Sequence, residues 1–167
     1  MARIYLAGYD VFRADAVAHG AYLRQLCHSH GLEGLYPLDN QLPAGLAGPA
    51  AARWICEQNL AMLRGCDAVL ANLGAFRGLE PDSGTVFEVG MAVALGKPVW
   101  AYGVAPATLR EQVPHGADGC CAGGYQVEDF GLPRNLMLAC TWAGCSASAE
   151  AGVARLAAWL TAAGCRR

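Results

Sequence analysis

The densest run of reactive side chains is Glu80-Pro81-Asp82-Ser83-Gly84-Thr85-Val86-Phe87-Glu88. Asp82 or Ser83 is placed to cap a following helix, because a short oxygen-bearing side chain there accepts from the helix's first free N–H groups. Glu88 then falls in the second turn, among Val86, Phe87, Val89 and Met91. Two effects act on a carboxylate in that position. Partial loss of water raises its pKa, and the nearby start of the helix lowers it. A carboxylate that is charged yet poorly hydrated suits nucleophilic attack on a sugar carbon. Asp82 supplies a second carboxylate one loop away, and two carboxylates around one anomeric carbon are the usual apparatus for breaking a glycosidic bond. Spacing alone is equally met by Asp82 as a simple cap and Glu88 as a surface residue.

Apolar runs alternate with helical periods along the chain, and these elements must position the cluster. Residues 3–8 read as a buried strand closed by Gly8, and residues 14–30 as a helix carrying Val17, Tyr22, Leu23 and Leu26. A second strand over 32–38 breaks at Pro37, and a Gly- and Pro-rich loop follows over 39–49. A helix is predicted over 50–64, a strand over 67–72, a helix over 84–95 and a strand over 99–102. Residues 103–134 show no sustained period and read as a long irregular excursion, a feature that is often functional. A last helix spans 149–163, with Val153, Leu156, Ala157 and Leu160 on one stripe. Strands alternating with helices imply an α/β fold: a parallel sheet with helices on both faces. Ligands of such sheets bind beyond the carboxyl ends of the strands. Gly8-Tyr9-Asp10, Pro37 to Gln41, and Asn72 to Gly84 fall there.

Composition bounds the function. The 167 residues suit one domain over 1–167, and 54% hydrophobic with 16% charged residues excludes a disordered chain. A net charge of −2 argues against a basic nucleic-acid face. No apolar run reaches the ~18 residues of a membrane span, and the apolar start is too short for a signal peptide, so a cytoplasmic setting is expected. The chain has neither G-x-G-x-x-G nor G-x-x-x-x-G-K-[ST], which removes the two common nucleotide-phosphate cradles. The eight cysteines (Cys27, Cys56, Cys66, Cys120, Cys121, Cys140, Cys145 and Cys165) contain no C-x-x-C and are expected as free, buried thiols. His28 and His30 in Cys27-His28-Ser29-His30 are two apart and diverge on a helix. No metal and no cofactor is expected.

The order of motifs resembles a known family. Tyr5-Leu6-Ala7-Gly8, Val11-Phe12, Tyr36-Pro37-Leu38-Asp39-Asn40, Asn59-Leu60, Cys66 to Leu73, Phe76-Arg77-Gly78, Asp82 to Gly90 and Gly96-Lys97-Pro98-Val99 occur in sequence. Together they resemble the nucleoside 2-deoxyribosyltransferases, and Pro133-Arg134-Asn135-Leu136-Met137 echoes that family's Asn-Leu-Met element. The likeness covers most of 3–138 and is weakest over 103–130 and after 138. It implies a compact, doubly wound, flavodoxin- or Rossmann-like sheet in a homo-oligomer. It implies transfer of 2-deoxyribose between nucleobases in nucleoside salvage, through a covalent sugar–enzyme intermediate.

By motif match, Glu88 would be the nucleophile and Tyr5 would hold its rotamer. Asp82 would contact the sugar and assist proton transfer. Gln41, with Asp39 or Asn40, would edge the base pocket near Gly8. Asn135 and Met137 would complete the sugar site from a neighbouring subunit, so that active sites are shared. Asn59 stands where some relatives carry Asp, which leaves the acid that protonates the base unassigned. Tyr9, where many relatives have Pro, could stack on a base or face solvent, and Phe12 could be core or a base-stacking wall. The competing functions are a deoxynucleoside or deoxynucleotide N-hydrolase using the same Glu88, and a non-catalytic nucleotide sensor.

Overall fold

The computed structural model describes residues 1–164, so Cys165 lies outside the described residues. Five strands form one parallel sheet: β1 (Ala2–Ala7), β2 (Leu32–Leu35), β3 (Ala68–Asn72), β4 (Val99–Tyr102) and β5 (Gly144–Ser146), in the order β2-β1-β3-β4-β5. The helices are α1 (Ala16–Ser29), α2 (Gly48–Gly65), α3 (Ser83–Ala94), α4 (Leu109–Gln112), α5 (Leu136–Ala139) and α6 (Ala149–Gly164). The register runs Tyr5 beside Leu35 on one side and Val69 on the other, and Val69 beside Val99.

Alternation along the central strands sorts the core into two layers, because successive strand side chains point to opposite faces. Ile4, Leu6, Leu70, Trp100 and Tyr102 pack with Leu23 and Cys27 of α1 and Val153 and Leu156 of α6. Tyr5, Ala7, Val69, Ala71, Val99 and Ala101 pack with Leu63 of α2, Val89 and Ala92 of α3 and Leu138 of α5. Both faces are covered, which is why β1, β3 and β4 read as unbroken apolar runs. The same alternation sends Tyr5 toward α3.

After β1 the chain turns outward to β2 and then returns to place β3 on the other side of β1. The crevice of a doubly wound sheet opens at such a reversal, beyond the carboxyl ends of the two flanking strands. Here those ends carry Gly8 and Asn72. Gly8 must be glycine: a Cβ there would lie 2.9 Å from Asn72 Cβ and 2.9 Å from Asp10 Oδ2.

The sequence expectations need five corrections. A fifth strand, β5, was not foreseen. β2 stops at Leu35, because Pro37–Asp39 closes into a 3-10 turn. A second 3-10 turn, Tyr9–Phe12, follows β1, and the excursion over 103–134 holds α4. Of the seven described cysteines, all free, only Cys27 and Cys66 are buried, whereas Cys56, Cys140 and Cys145 are exposed. No helix among the described residues is long and apolar enough to cross a membrane.

Candidate active site

Asp82 caps α3. Its Oδ2 accepts from the Thr85 N–H at 2.9 Å and from Thr85 Oγ1 at 3.1 Å. That cap fixes the first turn and sets the phase of the helix. Gly84, Thr85 and Glu88 then share one side, facing a cavity of about 330 Å³. Val86, Val89, Gly90 and Val93 share the other side. Gly8, Val11, Phe12, Pro37, Leu38, Ile55, Asn59 and Asp82 complete the cavity wall. Its lining is thus mostly apolar, with two carboxylates and one amide.

Tyr5 is fully buried in β1, and its hydroxyl donates to Glu88 Oε1 at 2.5 Å. Burial pushes the Glu88 carboxyl up to about 7; the Tyr5 hydrogen bond pulls it back, and the charge on Asp82 raises it further. Burial and then the charge of Glu88 drive the Tyr5 phenol far above its usual range, so it remains a donor. The pair holds one carboxylate oxygen in place at a cavity wall.

The loop after β1 is fixed from below. Asp10 is buried, and its Oδ2 accepts from Asn72 Nδ2 at 2.8 Å and from the Tyr102 hydroxyl at 3.1 Å. His19 Nε2 lies 3.4 Å from the other oxygen. These contacts tie the Tyr9–Phe12 turn to the ends of β3 and β4. Phe12, 59% exposed, is therefore not core: it stands in the cavity wall and stacks on Phe76, with centroids 5.4 Å apart. Tyr9 stacks on Phe76 at 5.0 Å and does not line the cavity. Arg77 lies over the Phe76 ring at 4.6 Å and over Phe12 at 5.3 Å, behind this aromatic wall.

The structure brings Glu88, Asp82, Gly8, Phe12 and Asn59 to one cavity, with Tyr5 beneath Glu88. Asn59 Oδ1 is buried without a hydrogen-bond partner among the described residues. Asp39, Asn40 and Gln41 are not in the cavity wall. Asp39 accepts from the Tyr36 N–H at 3.0 Å and pairs with Arg24, and Asn40 Nδ2 donates to the Pro37 carbonyl at 3.4 Å. Pro37 and Leu38 take their place. Val11 and Ile55 were missed; as lone apolar residues they give no chemical signal in sequence.

Asn135 and Met137 are not in the wall of the Glu88 cavity of their own chain. They line a separate groove of about 460 Å³ on the other side of α3, with Pro81, Val86, Val89 and Val93. Asn135 caps α5: its Oδ1 accepts from the Met137 N–H at 3.0 Å. Among the described residues, no group of three or more His, Cys, Asp or Glu side chains is placed to hold a metal ion.

A sequence model of the nucleoside 2-deoxyribosyltransferase family matches residues 4–137, and the chain belongs to that family. The 2-deoxyribosyltransferase of Leishmania mexicana is 36% identical, with 95% of this chain and 98% of that one superposed at a TM-score of 0.79. The 2-deoxyribosyltransferase of Bacillus psychrosaccharolyticus shares the fold at 20% identity and a TM-score of 0.62, over 90% of this chain and 89% of that one. An uncharacterised fission-yeast protein, C191.05c of Schizosaccharomyces pombe, is 33% identical over 102 residues, 59% of this chain. The chain spans about half the length of that curated relative. The family and the parallel α/β fold expected from the sequence are those found.

Proposed function

We propose that the protein transfers a 2-deoxyribosyl group from a nucleoside to a free nucleobase through a glycosyl ester on Glu88. The observation that carries this reading is the buried Tyr5 hydroxyl holding Glu88 Oε1 at 2.5 Å in a cavity shared with Asp82. A carboxylate oxygen of Glu88 bonds to the anomeric carbon as the carbon–nitrogen bond breaks. The electron pair leaves with the base nitrogen, which takes up a proton. An incoming base then bonds through nitrogen to the same carbon, Glu88 departs with its electron pair, and the base's proton is released. Positive charge gathers on the sugar in both steps, and an ionised Glu88 with little water around it stabilises that charge most.

Asp82 keeps one oxygen on Thr85 and offers the other to the sugar or to the proton on the base. Asn59 has no proton of that kind to give, and its open acceptor reads the base instead. Phe12, Leu38 and Ile55 cover the base and exclude water, which would otherwise take the intermediate. A second copy of the chain supplies Asn135 and Met137 to the sugar, in a homo-oligomer that serves nucleoside salvage.

The test is incubation with deoxyinosine and adenine, with products separated by chromatography. Deoxyadenosine is expected. Free deoxyribose would assign a hydrolase, and no turnover with retained binding would assign a sensor.

A further inference from the structure

Asn135 is held by a residue that the family motif does not contain. Glu128 lies within the irregular excursion, half-buried, seven positions before Asn135. Its Oε2 accepts from the Leu136 N–H at 3.0 Å, and its Oε1 accepts from Asn135 Nδ2. Among the described residues it has no cationic partner; the adjacent Asp129 is the one that pairs, with Arg110 at 3.4 Å. Both oxygens of Glu128 are therefore turned to two donors of the Asn135-Leu136 step.

A carboxylate only accepts, so it must meet the nitrogen end of the Asn135 amide. The other end meets a backbone donor, because Asn135 Oδ1 accepts from the Met137 N–H at 3.0 Å. The amide is thus fixed at both ends and cannot flip without placing like against like twice. One Nδ2 hydrogen remains uncommitted. Bonds to a charged acceptor are roughly twice as strong as neutral ones, so this orientation is set before any ligand arrives. Glu128 lines a hollow of about 230 Å³ with Val127 and Tyr125, and Asn135 and Glu80 line both that hollow and the groove beside α3.

We infer that Glu128 is a positioning residue for Asn135, locking its amide so that the free N–H is offered to a sugar hydroxyl of the nucleoside bound in a second copy's cavity. This rests on the shared-site reading proposed above. The experiment measures kcat/KM for a deoxynucleoside donor in four proteins: wild type, Glu128→Gln, Asn135→Ala and the double variant. Glu128→Asp, which withdraws the carboxylate while keeping its charge, is a fifth in case the Gln variant does not fold.

Glu128→Gln and Glu128→Asp should each lower kcat/KM by about ten- to a hundredfold, with active-site content by covalent labelling unchanged. In the Asn135→Ala background the same change should cost less than about twofold, because nothing is left for Glu128 to orient. A purely structural role would multiply the two penalties, and that result overturns the inference. So does a wild-type rate in both Glu128 variants while Asn135→Ala is impaired. A wild-type rate in Asn135→Ala would instead overturn the shared-site reading itself.

Discussion

Glu88 is asked to be charged and poorly hydrated at once, and the two demands conflict. Burial raises its pKa to about 7, and the Tyr5 hydroxyl keeps it from rising further. Glu88→Gln keeps the shape and the bond from Tyr5 but removes the anion. Turnover should fall by about a thousandfold or more, and the added deoxyribosyl mass seen on wild type with donor alone should vanish. Near-normal turnover would remove Glu88 from its role. The same variant should gain stability, with a defined sign. The folded pKa lies above the unfolded value, so between about pH 4.5 and 7 the folded state holds more protons. Stability is therefore lost as pH rises through that window, and the loss is complete above it. Gln escapes it. Its melting temperature should match wild type near pH 4.5 and exceed it by several degrees at pH 8. A constant difference across that range would refute the desolvated carboxylate. Tyr5→Phe removes the contact that lowers the Glu88 pKa. The rate should fall by about ten- to a hundredfold, and the acid limb of the kcat/KM profile should move above pH 7. A slower enzyme with an unmoved limb would reduce Tyr5 to a core aromatic.

At the scale of elements, the long excursion between β4 and β5 must be held in place without a strand of its own. Arg134 does this. Its guanidinium is fully buried with no carboxylate partner among the described residues: Nε donates to the Leu73 carbonyl at 2.9 Å, and Nη1 to Gln112 Oε1 at 2.6 Å and the Pro133 carbonyl at 3.1 Å. Gln112 in turn donates to the carbonyls of Ala107 and Pro133. The clamp ties the end of β3 to α4 and to the residue before Asn135. Arg134→Met would leave the buried Leu73 O and the half-buried Gln112 Oε1 without this donor, so unfolding free energy should drop by about 2–4 kcal/mol, read from denaturant midpoints. An unchanged midpoint would mean that the clamp holds nothing. None of this showed in sequence, where Arg134 is one cation among twelve Lys and Arg. The central strands were legible because burial on both faces writes apolar runs, and α3 was legible from its cap. β5 was not: Gly144-Cys145-Ser146 has no alternation, and it is defined by its parallel pairing with Trp100–Tyr102 of β4. A Cβ at Gly144 would strike the Trp100 ring at 2.4 Å, and Trp100 Nε1 donates to Ser146 Oγ at 2.9 Å. In the site, Glu88 and Asp82 were legible as paired carboxylates. Asp39, Asn40 and Gln41 stand outside the cavity wall because a 3-10 turn aims Pro37 and Leu38 at it and ties Asp39 to the turn and to Arg24. Turn phase of that kind depends on φ and ψ at single residues, which residue type does not specify.

At the scale of the whole molecule, α3 separates two surfaces. One side carries Glu88 and its cavity; the other forms an apolar groove with Asn135 and Met137. Met137 is 68% exposed there, and Phe87, between the two surfaces, is 61% exposed. Large apolar side chains left in water along a groove favour association, and a closed symmetric assembly lets the same patch be covered on each copy. If α3 faces its counterpart across such an interface, Asn135 of one copy is carried toward Glu88 of the next, whereas within its own chain it lines the other side of α3. The expected outcome is complementation. Glu88→Ala and Asn135→Ala, each nearly inactive alone, are dissociated, mixed and reassembled, and mixed oligomers are isolated by distinct tags. In a shared site, a mixed dimer holds one cavity with both native residues and one with neither, so about half of the wild-type activity should return. If Asn135 served its own chain, every cavity in the mixture would lack one residue. Tag-verified mixed oligomers as inactive as their parents would then confine the role of Asn135 to its own chain and overturn the shared site.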